Sequence, residues 1–191
     1  MNIANNILKR SLQNVYFFVG TACGGKTTMG RELSKKYGFT YFSDNWNEPN
    51  WKEWESIIDE TYQPYSHNRG KSLSTEEYFS RSIEDFDFLL EISDYSRIAC
   101  LLTSGDLIIR DYYQRDDHID FTRAIQSLEN SEQKFEVQNE LFRIGAKEIA
   151  KKAAKHKLFS IMRNEESTIE KTLLLLENHF GLSAFMQGGA P

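Results

Sequence analysis

"FFVGTACGGKTTMGREL", residues 17–33, places two glycines, a lysine and a threonine at the spacing G-x-x-x-x-G-K-[ST], directly after the apolar run VYFFV (15–19). The run reads as a short buried strand. From Lys26 onward, Met29, Leu33 and Tyr37 recur every four residues and Gly38 is a natural stop, so a helix is expected over 26–37. A loop between a strand end and a helix start can aim several backbone N–H groups at one anion. Gly20, Gly24 and Gly25 allow the positive φ angles and the close approach this needs. The helix amino terminus adds about half a positive charge. In that geometry Lys26 reaches the β- and γ-phosphates of a nucleotide and the Thr27 hydroxyl ligates Mg²⁺. The backbone of Thr21, Ala22, Cys23 and Thr28 completes the cradle.

Bulk properties frame this reading. The chain has 191 residues, which suits one domain over 1–183 with a loose, glycine-rich tail at 184–191. With 23 Lys and Arg against 28 Asp and Glu, the net charge is −5, which argues against general nucleic-acid binding. The two cysteines, Cys23 and Cys100, form neither a disulfide framework nor a zinc pattern and fit a reducing cytosol. The first 15 residues are polar and amphipathic rather than a signal peptide, and no run approaches the length of a membrane span. The expected location is cytoplasmic, with no nucleic-acid or membrane partner.

Further along, FTYFS (39–43) is a second strand candidate ending at Asp44, and a short helix is expected near 51–61. Ser74 and Glu77 form a capping box opening a helix with Phe79, Ile83, Phe86 and Leu90 on one face. RIACLLT (97–103) is the third strand, followed by a helix over 106–118. A longer helix is expected over 131–155, then a fourth strand over 157–162. A closing helix starts at a capping box formed by Ser167 and Glu170 and stops before Gly181. Strands alternating with helices give an α/β fold, here a three-layer arrangement with a reduced, mostly parallel four-stranded sheet in the order second, first, third, fourth.

The loop resembles the Walker A motif of P-loop NTP-binding proteins. The chain as a whole resembles the small P-loop kinases: shikimate kinase, gluconate kinase, chloramphenicol phosphotransferase and the nucleoside monophosphate kinases. The likeness covers 15–45 most closely, 77–123 less so, and 157–181 only in the order of elements. Ras-type GTPases are excluded by the lack of an N-K-x-D motif, and larger ATPases by chain length. The resemblance implies ATP and Mg²⁺, with phosphoryl transfer to a small hydroxylated or nucleotide-like acceptor. It carries roles residue by residue. Asp44 matches the acid that orients the acceptor hydroxyl, although shikimate kinases have D-x-D where this chain reads DNW. Arg81 in SRSIE is similar to the arginine that grips the acceptor, and would equally pair with Glu77 or Glu84 on a solvated face. The segment 104–123 is similar to the lid, with Arg110 and Arg115 matching arginines that meet the transferred phosphate, and would equally offset nearby Asp111, Asp116 and Asp117. On this reading Lys26, Asp44, Arg110 and Arg115 are catalytic.

Trp46, Trp51 and Trp54 lie where such kinases hold the acceptor, and serve there or in the core. Cys23 reads as a small residue that fits the loop; its place near a helix amino terminus would, as the second reading, lower its pKa.

One feature of the family is missing from the pattern. No apolar run between Asp44 and Arg97 reads as the Walker B strand, because 85–92 continues a helix. Asp44 or Asp106 would then stand in for the second-sphere acid of Mg²⁺. The absence keeps a second reading open: a weakly hydrolysing or non-catalytic nucleotide-binding module whose lid answers ATP for a protein partner. An open sheet edge would also invite a second copy of the chain, so a homodimer stays open.

Overall fold

A six-residue strand, Ile98–Thr103 (β2), is buried along its whole length and organises the molecule. The computed structural model describes residues 3–42, 89–116, 119–127 and 131–184. Helix α1 (Ile3–Ser11) precedes β1 (Phe17–Gly20), and α2 (Lys26–Tyr37) follows it. Residues 89–92 are helical and lead through a single 3-10 turn into β2. Then come α3 (Gly105–Tyr112), α4 (Ile119–Gln126), α5 (Ser131–Lys155), β3 (Ser160–Arg163) and α6 (Ile169–Phe180).

The sheet is parallel, in the order β1-β2-β3. Gly20 lies opposite Leu101, and Thr103 opposite Arg163. A strand between two parallel neighbours has no solvent face, which is why IACLLT carries no alternating polar residues. Its alternate side chains feed two cores. Ala99 and Leu101 pack with Met29 and Leu33 of α2 and Leu176 and Phe180 of α6. Ile98, Cys100 and Leu102 pack on the opposite face with Ala153 of α5, Leu158 and Leu90. The result is three layers: α2 and α6, the sheet, and α5. Glu177 of α6 is buried, and Lys36 of α2 meets it at 2.5 Å, so the two helices on one face share an ion pair. On the other face α3 lies on α5, where Tyr112 and Tyr113 pack against Phe142 and the Tyr113 hydroxyl donates to Asn139 Oδ1 at 2.9 Å.

The α/β class and the order of the first, third and fourth expected strands agree with the sequence reading, and α2 and α5 span the expected residues. The second strand does not form over 39–42. Gly38 ends α2 in the left-handed conformation, and the Phe39 N–H then donates to Ser34 O while Phe39 O accepts from the Ser34 hydroxyl. Both backbone groups are therefore committed to the helix end rather than to a sheet ladder. Phe39 stacks between Tyr16 and Tyr37, and the Tyr41 ring covers Gly30. The alternation in FTYFS thus marks side chains that pack on α2.

Three boundaries also move. The helix expected over 106–118 ends at Tyr112, and a separate helix starts at Ile119. The last strand begins at Ser160 because Lys157, at φ 54°, and Leu158, bonded to Ala153 O, still finish α5. The cap of α6 is Thr168, whose hydroxyl accepts from the Lys171 N–H at 3.3 Å; Ser167 instead pairs with Asn164. The helix expected near 51–61, the Ser74–Glu77 box and its face up to Phe86, and the tryptophans all lie outside the described residues.

Candidate functional site

In an open parallel sheet, ligands gather beyond the carboxyl ends of the strands. Here those ends are Gly20, Thr103 and Arg163. The chain leaves β1 at Gly20 with φ 127°. A Cβ on Gly20 would stand 2.0 Å from Leu101 O, and one on Gly24 would stand 2.4 Å from the same atom. The loop therefore lies directly on β2, an approach open only to residues without side chains. Cys23 (φ 55°) and Gly25 (φ 93°) add two left-handed turns, and Gly25 is the residue from which α2 starts.

Nothing on Gly25 caps that start. The opening turn of a helix carries four N–H groups that the helix cannot satisfy. Together with the macrodipole they suit the first turn, Lys26, Thr27 and Thr28, to an anion. Thr27 is half-buried and Thr28 exposed. Lys26 curls back over the loop, its Nζ donating to Gly20 O at 3.2 Å and Thr21 O at 2.6 Å. Its ammonium is thereby held above the cradle.

Thr21 plays a different part from the rest of the loop. Its N–H donates to Leu101 O at 3.1 Å, and its buried hydroxyl accepts from the Thr103 N–H at 2.8 Å. It anchors the loop to β2 through both groups.

Of the two arginines assigned to the lid, Arg115 is brought to the loop, and Arg110 is linked to it through Asp111 and Arg163. Arg110 Nε donates to Asp111 Oδ1 at 2.7 Å, and its Nη1 to Glu165 Oε1 at 2.8 Å. Arg115 lies within hydrogen-bonding reach of the Cys23 thiol. Burial pushes that thiol's pKa up, and Arg115 and Arg163 only partly oppose it. The lowering expected from the helix terminus does not prevail. Cys100, under the loop in β2, is pushed up to about 11 by burial. Neither cysteine is poised as a thiolate nucleophile.

Asp106 sits in the first turn of α3 but pairs with Arg143 Nε of α5 at 3.0 Å, so it faces the outer helix layer. Among the described residues no group of three or more His, Cys, Asp or Glu gathers as a metal site. On the nucleotide reading, Thr27 would supply the one protein oxygen to Mg²⁺ beside the phosphate oxygens, which suits an ion that keeps several waters. Asp44 and Arg81 lie outside the described residues.

Sequence reasoning missed Arg163; Asp111 it took only as a nearby charge for the lid arginines, and Arg110 does pair with it. Arg163 Nη1 donates to Cys23 O at 2.8 Å and to Asp111 Oδ2 at 2.8 Å. Arg110 above all, with Arg163, holds the Asp111 carboxyl below its ordinary pKa. No motif spacing signals Arg163; only its place at the end of the last strand, beside the other strand ends, could have.

Among the described residues no helix is long and apolar enough to cross a membrane. No family model matches the chain, and no curated protein matches it.

Proposed function

We propose that the chain binds the phosphates of ATP–Mg²⁺ on residues 20–28 and transfers the terminal phosphoryl group to a small hydroxylated metabolite or nucleotide-like acceptor. The observation that carries this reading is the uncapped start of α2. A glycine loop packed on β2, two left-handed residues and an overhanging lysine converge on N–H groups that no cap side chain from Gly25 covers. Phosphate oxygens are the natural acceptors for them.

The roles follow from position. Lys26 exchanges its two carbonyl partners for phosphate oxygens, a charge-assisted and therefore stronger contact. Thr27 supplies the protein's oxygen to Mg²⁺, which bridges and neutralises the phosphates when bound. Arg110 and Arg115, on α3 and just beyond it, would offer donors to charge developing on the transferred group. Asp44 would orient the acceptor hydroxyl and Arg81 would hold the acceptor's own charge.

A second reading is favoured by one observation. Arg110 is already engaged by two carboxylates, Asp111 and Glu165, so its donors are not preset toward a phosphoryl group. A module that binds nucleotide and presents α3 to a protein partner would also use this arrangement.

The deciding experiment is ADP release across a panel of small hydroxylated acceptors, with Arg110→Ala and Arg115→Ala alongside. The kinase reading expects acceptor-dependent ADP. It also expects either variant to lower turnover by ~100-fold or more while ATP affinity changes little. Tight ATP binding with no acceptor-dependent ADP favours the binding module.

A further inference from the structure

Arg163 joins three parts of the molecule that the chain keeps far apart. It is the last residue of β3, it touches the loop after β1, and it pairs with an acid near the end of α3. Both contacts come from the same nitrogen, Nη1, whose two hydrogens can serve two acceptors at once. One is Cys23 O and the other Asp111 Oδ2, each at 2.8 Å.

The Cys23 contact falls at a sensitive place. Cys23 holds φ 55°, a left-handed conformation that a residue with a Cβ keeps only when its surroundings fix it. The peptide between Cys23 and Gly24 is pinned on both sides. Its oxygen accepts from Arg163, and its N–H donates to Thr21 O at 3.3 Å. That plane sets how the chain curves from the Thr21 anchor to Gly25, and so where the N–H groups of the cradle point. Arg163 is oriented in turn by Asp111, whose second oxygen is taken by Arg110. The brace therefore runs from α3 through Asp111 and Arg163 to the loop.

We propose that Arg163 is a positioning residue for the phosphate loop, held in place by Asp111, so that the geometry of the loop is coupled to α3 through one guanidinium. The inference rests on the nucleotide-binding reading above. It assigns Arg163 no contact with the reacting atoms. Its effect is to keep the Cys23 turn, and with it the aim of the backbone donors.

The test measures affinity for ATP and for inorganic tripolyphosphate, which has no base or sugar, in wild type, Arg163→Met, Asp111→Asn and the double variant. Removing one charge-assisted hydrogen bond corresponds to about tenfold in affinity. Arg163→Met is expected to weaken both ligands by about tenfold, with the melting temperature close to wild type. Asp111→Asn, nearly isosteric and readable even if Arg163→Met fails to fold, is expected to weaken both in the same direction. The double variant should be no worse than Arg163→Met alone, because the two residues act in series.

A rise in affinity on Asp111→Asn would overturn the proposal, since it would make Asp111 a competitor that withholds Arg163 from the phosphates. Unchanged affinity in Arg163→Met overturns it as well. If wild type binds neither ATP nor tripolyphosphate, the nucleotide reading fails first and this inference falls with it.

Discussion

Each of the three strands leads into a helix, but the junctions are built in two ways. After β2, Ser104 caps α3, its hydroxyl accepting from the Leu107 N–H at 3.3 Å. After β3, Thr168 does the same for α6. After β1 there is no hydroxyl cap; Gly25 starts α2 in the left-handed region, and the loop before it lies against the β2 backbone. Two junctions each give their helix start a side-chain acceptor, which contributes stability. The third has no side-chain cap, and its first-turn N–H groups are the ones the proposed nucleotide site uses. The first-turn N–H groups of a helix need acceptors from beyond the helix, and the proposed function supplies them from phosphate oxygens.

The largest effect expected from breaking this contrast is at Gly20. Gly20→Ala would drive a methyl group into Leu101 O and impose φ 127° on a residue with a Cβ. A destabilisation of about 3 kcal/mol is expected from overpacking and strain together. Gly25→Ala meets no atom within 4 Å, so only the φ of 93° opposes it, and about 1–2 kcal/mol is expected. Chemical denaturation of the two variants separates collision from conformation. Equal destabilisation would mean that the loop does not press on β2 as described.

The capped junctions give the next effect. Ser104→Ala and Thr168→Ala should each cost about 1 kcal/mol. In a domain of this size that is a fall of roughly 2–4 °C in melting temperature. Their nucleotide affinity should stay at the wild-type value. A cap variant that loses binding without losing stability would place the ligand at the wrong junction.

The smallest effect is a pH dependence carried by Asp111. Its folded pKa lies below the ordinary value of 3.8, held there first by Arg110 and then by Arg163, with burial opposing. A depressed carboxylate contributes stability above its unfolded pKa and loses it as pH falls through the folded one. The difference in stability between wild type and Asp111→Asn should be constant above about pH 5 and shrink as pH drops below about 4. Both carboxylate and arginines are partly exposed, so salt should reduce the effect as well. A difference that persists to pH 2 would show that the ion pairs are not its source.

How legible the site is in the sequence follows from the same contrast. Residues 20–27 can be read in one dimension because the device is contiguous: strand end, glycines, lysine, helix start. Strand β2 is legible for a related reason, since burial on both faces leaves an unbroken apolar run. Residues 39–42 mislead because Phe39 and Tyr41 serve side-chain packing on α2, while the backbone groups of Phe39 go to Ser34. The lowered pKa weighed for Cys23 beside its reading as a small loop residue does not appear, because burial opposes the arginines, and burial is not visible in a sequence. The Arg163–Asp111 brace spans 52 positions between its acid and its base, 163 minus 111, and no local pattern announces a pair that far apart. Asp44 and Arg81 rest on resemblance alone, because both lie outside the described residues.

The central claim is that the start of α2 is a phosphate site. The most direct measurement is calorimetric titration of ATP–Mg²⁺ into wild type and into Lys26→Ala, with circular dichroism to confirm that the variant folds. Lys26 touches loop carbonyls rather than either core, so the fold should survive. Wild type should bind, and Lys26→Ala should bind at least ~30-fold more weakly, as expected when a charge-assisted hydrogen bond is removed from a partly buried site. Equal affinity in the two proteins, or no binding by wild type, would contradict the assignment.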